Sequence, residues 1–262
     1  MNLVKFPGLG LEFNISKYAL KFGSIYIYKY AVCIVLAIIV GIFLSKKSKE
    51  KFGIDYDFVL EVLLGAIIFG FLGARIYYVI FNLNNYILNP VKIFNIRDGG
   101  LAIYGGIIAI VIFLYFKCKK NKIDFLDLCD YLVPYLAIGQ SIGRWGNFFN
   151  IEAYGSSTNS VFRMGIETNS GYIEVHPVFL YESISTFVIF IILKIMQKNR
   201  KFKGQILYAY LCLYSFIRMF LEGLRIDSLM LGVLRISQVL SLVIFVVFVC
   251  FYSKNRIKIL KK

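Results

Sequence analysis

The strongest constraint on this chain is its division into apolar blocks separated by short basic stretches. The blocks fall near residues 25–45, 57–82, 100–116, 125–143, 177–196, 204–222 and 233–252. Each is close to the roughly 20 residues that an α-helix needs to cross a bilayer. Hydrophobic residues make up 59% of the chain and the mean hydropathy is +0.71, whereas soluble domains average about 45–50% apolar residues. The expected fold class is therefore an all-α polytopic membrane protein with about seven transmembrane helices and a small external head insertion.

The distribution of charge sets the expected orientation. The net charge of +15 would suit nucleic acid if it formed one patch, but it is spread over alternate loops. Lys46, Lys47, Lys49 and Lys51 follow the first block, and Lys117, Lys119, Lys120 and Lys122 follow the third. Lys194, Lys198, Arg200, Lys201 and Lys203 follow the fifth, and Lys254, Arg256, Lys258, Lys261 and Lys262 form the tail. Such clusters mark cytoplasmic loops. Seven spans then put the N-terminus and the 144–176 loop outside and the C-terminus in the cytoplasm, with no nucleic-acid partner.

The expected segments are an outer interfacial stretch at 1–24, helices one to four over 25–143, a signature loop and external head at 144–176, helices five to seven over 177–252, and a basic tail at 253–262. The first apolar block begins late and lacks a small-x-small exit, so it reads as a retained anchor and not a cleaved signal. The polar 156–175 stretch, with Ser, Thr and Gly punctuation, predicts a small β-rich or irregular head. None of Cys33, Cys118, Cys129, Cys212 and Cys250 lies in that head, which supports neither disulfides nor a cysteine metal site.

Chemistry-bearing residues stand out because polar groups at membrane depth are costly. A charge at the bilayer centre costs about 2.5–3.5 kcal/mol on insertion scales, and such groups mark protein-lined or wet cavities. The densest set is GQSIGRWGNFFNIEAYG, Gly139 to Gly155, which places Arg144, Asn147, Asn150 and Glu152 among glycines. Arg75 lies deep in the second block and must reach a carboxylate, a phosphate or the water boundary. Glu182 needs a partner, for which Arg75 is one candidate. Tyr214, Arg218 and Glu222 have i, i+4, i+8 spacing and share one helix face. They form either a self-neutralising Arg–Glu pair or a polar stripe lining the same cavity as Arg144. Glycines on either side of Tyr104 (Gly99, Gly100, Gly105, Gly106) remove bulk for a helix or a headgroup to approach. His176, the one histidine, reads as structural or as functional.

Gly143-Arg144-x-Gly146-Asn147-Phe148-x-Asn150-x-Glu152-x-x-Gly155 resembles the signature of the bacterial phosphatidylglycerol:prolipoprotein diacylglyceryl transferases. The strings Gly73-Ala74-Arg75-x-Tyr77-Tyr78, Asp98-Gly99-Gly100 through Tyr104-Gly105-Gly106, and His176-Pro177-x-x-Leu180-Tyr181-Glu182 are also similar to that family's motifs. The chain departs from the family where Tyr104 stands in place of a frequent histidine and Lys29 in place of a glycine after Tyr28.

The resemblance implies transfer of the diacylglyceryl group from phosphatidylglycerol to a preprolipoprotein lipobox cysteine, the first step of lipoprotein maturation, at the outer face of the bacterial cytoplasmic membrane. It implies Tyr104, Arg144, Tyr214, Arg218 and Glu222 as catalytic. For substrate it implies Arg144, Asn147, Asn150, Glu152, Gly155, Tyr28, His176, Gly99, Gly100 and Gly105. Two arginines suit a phosphate, and no metal or organic cofactor is expected. Two alternatives stay open on the residues alone. One is a transporter or flippase for an anionic lipid or solute. The other is a metal-dependent lipid transferase using nucleotide-linked alcohols, for which Asp124, Asp127 and Asp130 would be the acidic array.

Overall fold

Runs rich in Leu, Ile, Val and Phe with no prolines at most interior positions satisfy their own backbone as helices, the required solution where lipid offers no hydrogen bonds. The computed structural model describes residues 2–23, 25–46, 52–87, 89–95, 99–168, 171–226, 228, 230–232 and 234–261. Lys47, Lys49, Lys51, Asp98 and Lys262 of the sequence argument lie outside the described residues.

The long helices are α1 (Lys29–Lys46), α2 (Tyr56–Phe81), α3 (Ile103–Lys120), α4 (Phe125–Asn150), α5 (Val178–Lys198), α6 (Gln205–Leu224) and α7 (Ile236–Leu260). Among the described residues, α1, α2, α5, α6 and α7 are long and apolar enough to cross a membrane. That makes the chain a polytopic membrane protein, and α7 leaves Val239, Leu242, Val243 and Val246 exposed along its length. The expected count of seven is not reached on length and hydropathy. Lys117, Lys119 and Lys120 end α3, while Asp127, Asp130 and Arg144 interrupt α4.

The chain is also not purely α. Strands β1 (Asn2–Phe6), β2 (Leu11–Ile15), β3 (Tyr18–Phe22), β4 (Ile25–Tyr28), β5 (Met164–Thr168), β6 (Gly171–Val175), β7 (Met230–Leu231) and β8 (Leu234–Arg235) are formed. Residues 1–24, expected as an interfacial stretch, hold the hairpin β1–β2 and the first strand of a second hairpin, β3–β4. The first joins the head in an antiparallel sheet of order β2-β1-β5-β6, with Val4 opposite Ile166. The head is thus built from both ends of a long sequence separation.

By internal contacts the chain forms two units, Met1–Ser45 with Cys129–Lys262, and Lys46–Leu128. In the first unit, α1 lies antiparallel to α4. Gly146 abuts Tyr30 at one end, and the Tyr131 hydroxyl donates to the Ser45 carbonyl (2.8 Å) at the other. Ser141 and Ser183 exchange hydrogen bonds with each other's carbonyls (2.8 and 2.9 Å), fixing α4 on α5. Val133, Ala137, Ile189, Leu193, Ile206, Ala209 and Tyr210 form the α4–α5–α6 core. A second core joins Val4, Phe6, Ile15, Met164, Ile166 and Val175 of the sheet to Phe148 of α4 and Phe179 of α5. The head is therefore seated on the two helix ends that carry the signature residues.

At the opposite end of α4, fully buried Asp130 is saturated. It accepts from Arg200 Nε (2.7 Å) and from the backbone N–H groups of Gly204 (2.8 Å), Ile206 (2.9 Å) and Leu207 (2.8 Å). A carboxylate on the free N–H groups of a helix start complements its dipole. Asp124 in turn accepts from the Leu126 and Asp127 N–H groups at the start of α4 (2.9 and 3.2 Å). Two of the three acids considered as a metal array thus serve as helix-start acceptors.

In the second unit, α2 and α3 pack closely through glycines. A Cβ on Gly105 would sit 2.2 Å from Tyr77 Cβ and 2.4 Å from the Gly73 carbonyl oxygen. Small residues that let backbones approach are the usual adhesive of membrane helices.

Candidate functional site

The signature stretch is helical for longer than the sequence suggested. Gly143, Arg144, Gly146, Asn147 and Asn150 lie on the last turns of α4 and not in a loop. Glycine is tolerated at 146 for a steric reason, since a Cβ there would come within 2.4 Å of Tyr30 Cδ2. The helix is stopped by Ile151 and Ala153, both in the left-handed region at φ 53° and 56°. That conformation is disfavoured for side chains with a Cβ, most of all for a branched one.

Side chains brace this turn. Glu152 Oε1 accepts from Asn147 Nδ2 (2.9 Å) and Asn150 Nδ2 (3.3 Å), and Asn147 Oδ1 accepts from a terminal nitrogen of Arg144 (3.5 Å). Four sequence-predicted residues are therefore brought together as one network. Tyr30, Gln140, Gly143, Arg144 and Asn147 line an open cavity of about 160 Å³ beside it. Cavities near 150 Å³ hold a benzene-sized molecule, so this one has room for a small headgroup.

Behind Arg144 runs a chain of charges. Glu182 of α5, 4% exposed, pairs through one oxygen with Arg144 Nε and through the other with Arg218 of α6. Arg218 pairs through its second terminal nitrogen with Glu222 Oε2 at 2.6 Å, and Arg235 donates to the Glu222 carbonyl. Two cations and two anions cancel, which offsets the cost of taking the four charges out of water. The Arg218–Glu222 pair at i, i+4 and the link toward Arg144 thus coexist. Tyr214, on the same face, stacks on Tyr210 (5.6 Å between ring centres), and the Tyr210 hydroxyl donates to Gln140 Oε1 (3.0 Å).

Other expected site residues have different surroundings. Tyr28 ends β4 with its ring 5.2 Å from that of Tyr18, and it is Tyr30, two residues on, that lines the cavity. His176 sits with its Nδ1 3.4 Å from the Tyr181 hydroxyl. Its backbone does more: the Gly155 N–H donates to the His176 carbonyl (2.9 Å), and the Ser156 N–H donates to the Leu224 carbonyl at the end of α6 (2.8 Å). A Cβ on Gly155 would come within 2.8 Å of His176 Cβ, so glycine is required for this strap.

The second unit carries the rest. Arg75 does not pair with Glu182. Its guanidinium donates to the carbonyls of Ile93 (2.8 Å), Lys92 (2.8 Å), Asn95 (3.0 Å), Gly99 (2.8 Å) and Gly100 (2.9 Å). Five carbonyls were an alternative to a carboxylate that the sequence reading did not consider. Gly99 and Gly100, at φ 82° and 81°, turn the loop around this cation. Gly105 is buried against α2, and Tyr104 stands half-exposed in the first turn of α3. The residues that sequence reasoning missed are Gln140 and Tyr30. Gln140 was findable as an amide one turn before Arg144 in an apolar helix.

The family model described as Prolipoprotein diacylglyceryl transferase matches residues 17–253. A protein of Finegoldia magna named phosphatidylglycerol–prolipoprotein diacylglyceryl transferase is 45% identical over 233 residues, covering 88% of this chain and 92% of its own. Proteins of the same name are similar in Clostridioides difficile (44% identical, 82% and 85% covered) and Bacillus cereus strain G9842 (40% identical, 95% of each covered).

Proposed function

Because this chain belongs to the prolipoprotein diacylglyceryl transferase family, we propose that it transfers the diacylglyceryl group of phosphatidylglycerol to the lipobox cysteine of preprolipoproteins. The cysteine sulfur forms a bond to the terminal glyceryl carbon, the carbon–oxygen bond to phosphate breaks, and glycerol phosphate leaves with the electron pair. The thiol proton is the one proton released, and the leaving phosphate is a sufficient acceptor for it.

The observation that carries the reading is Arg144 at an open cavity, braced by Asn147, Glu152 and Asn150. Negative charge grows on the departing phosphate, and a fixed guanidinium facing it is worth about 3–4 kcal/mol by analogy with other preplaced donors. Asn147 and Asn150 orient the headgroup. Arg218, Glu222 and Tyr214 support the arginine from behind, while Gly155 and His176 hold the strap that fixes the end of α6. Tyr104 serves the thiol by hydrogen bonding; within the second unit Gly99 and Gly100 hold Arg75, and Gly105 seats α3 on α2. Tyr28 and Tyr30 flank the lipid path.

In the bacterial cytoplasmic membrane, α3 and α4 join the five apolar helices as spans, making seven. The alternate basic clusters support an outward N-terminus, a cytoplasmic C-terminus and an outward-facing site. The strands of the head and the first hairpins then lie at the outer interface.

The test reconstitutes purified protein with a lipobox peptide and either phosphatidylglycerol or phosphatidylcholine. A diacylglyceryl mass increment is expected on the peptide with phosphatidylglycerol alone, and none on a cysteine-to-serine peptide. Movement of lipid between leaflets with no covalent product would overturn the proposal.

A further inference from the structure

The two arginines at this site are not equivalent. Arg144 is gripped by Glu182 through Nε, while one of its terminal nitrogens lies 3.5 Å from Oδ1 of Asn147, which lines the cavity with it. Arg218 is held the other way round, with one terminal nitrogen on Glu182 and the other on Glu222 (2.6 Å). Arg144 lines the cavity and, among the described residues, Arg218 does not. A guanidinium recognises phosphate best with its terminal fork; Glu182 takes Arg144 at Nε, whereas carboxylates take both terminal nitrogens of Arg218.

We propose that Glu182 is a positioning residue, which turns the fork of Arg144 toward the phosphate and holds Arg218 behind it as a counter-charge and not as a second headgroup ligand. The inference rests on the transferase reading above. Glu182 reaches both cations because it sits on α5, between α4 and α6, nearly sealed from solvent at 4% exposure. The charges of Arg144, Glu182, Arg218 and Glu222 cancel. An arriving phosphodiester adds one negative charge at the open side of Arg144, with no ion pair needing to break.

The consequences separate orientation from charge. Glu182→Gln keeps the volume but leaves the site one unit more positive and frees Arg144 to rotate. Turnover is expected to fall about 100-fold, the scale of a misplacement near 1 Å. The KM for phosphatidylglycerol should hold or fall, and glycerol phosphate should inhibit more strongly. Glu182→Asp keeps the charge but shortens the reach, so it should lower turnover with KM and product inhibition unchanged. Arg218→Lys keeps the counter-charge and should leave KM near wild type, whereas Arg144→Lys should raise it.

The experiment measures kcat, KM, product inhibition and melting temperature for these four variants and wild type in one vesicle preparation. Wild type without adduct would refute the transferase reading itself. An active wild type with a folded Glu182→Gln of unchanged kcat would refute this inference alone. So would a loss matching only the misfolded fraction, or an Arg218→Lys whose KM rises as far as that of Arg144→Lys. If Glu182→Gln does not fold, the Glu182→Asp split of kcat from KM decides.

Discussion

Replacing Asp130 with alanine should destabilise the protein without touching the site. Its carboxylate is fully buried and receives three backbone N–H groups from the start of α6, at 2.8–2.9 Å, together with Arg200 Nε at 2.7 Å. An orphaned buried N–H costs about 1–3 kcal/mol. The three groups thus give about 3 kcal/mol at the low end. Removing one partner of a buried ion pair costs about 3–5 kcal/mol by itself, so the low ends combine to roughly 6 kcal/mol. For a chain of this size each kcal/mol moves the midpoint by about 2–4 °C, which places the melting temperature roughly 12–24 °C lower. Asp130→Asn keeps the volume and one accepting oxygen, and about half that shift is expected. Thermal unfolding of the detergent-solubilised protein, followed by size-exclusion of the surviving monodisperse fraction, reads both. An Asp130→Ala protein melting within about 3 °C of wild type would refute the reasoning.

Three more outcomes follow from the packing. Gly146→Ala puts a Cβ within 2.4 Å of Tyr30 and should displace that cavity wall, cutting adduct formation at least tenfold on the ~1.4 kcal/mol-per-decade scale while the melting temperature stays near wild type. Gly105→Ala meets Tyr77 and the Gly73 carbonyl and should loosen the α2–α3 pair by about 1–3 kcal/mol, read as a lower melting temperature. Arg75→Lys replaces a fork that spans five carbonyls by one ammonium with three donors, and limited proteolysis after Lys92 should accelerate.

The helices were legible because lipid-facing surface has to be apolar throughout, so composition alone marks it. The signature residues were legible because each is expensive where it stands. What stayed hidden depends on distant pairing. Nothing local in NLVKF or LEFNI announces that β1 will pair with β5, 160 residues on, and the apolar and basic mixture of 1–24 was read as interfacial instead. Ion pairing was equally ambiguous. Glu182 needed a cation, but whether Arg75, Arg144 or Arg218 supplied it turned on which helices meet, and Arg75 proved to be satisfied by its own loop. The end of α4 was placed too early, at 143. The stretch from 144 was read as a loop, whereas Gly146 serves the approach of Tyr30 within the helix and the stop is the left-handed pair Ile151 and Ala153.

The central claim is that the Arg144 cavity releases glycerol phosphate as the cysteine takes the diacylglyceryl group. Phosphatidylglycerol with an isotope label in its headgroup glycerol tests this directly, with peptide and aqueous products both analysed by mass spectrometry. Wild type should yield unlabelled diacylglyceryl peptide and labelled glycerol phosphate in equal amounts, and folded Arg144→Ala should yield neither. Label retained on the peptide, or an Arg144→Ala protein forming both products at the wild-type rate, would contradict the account.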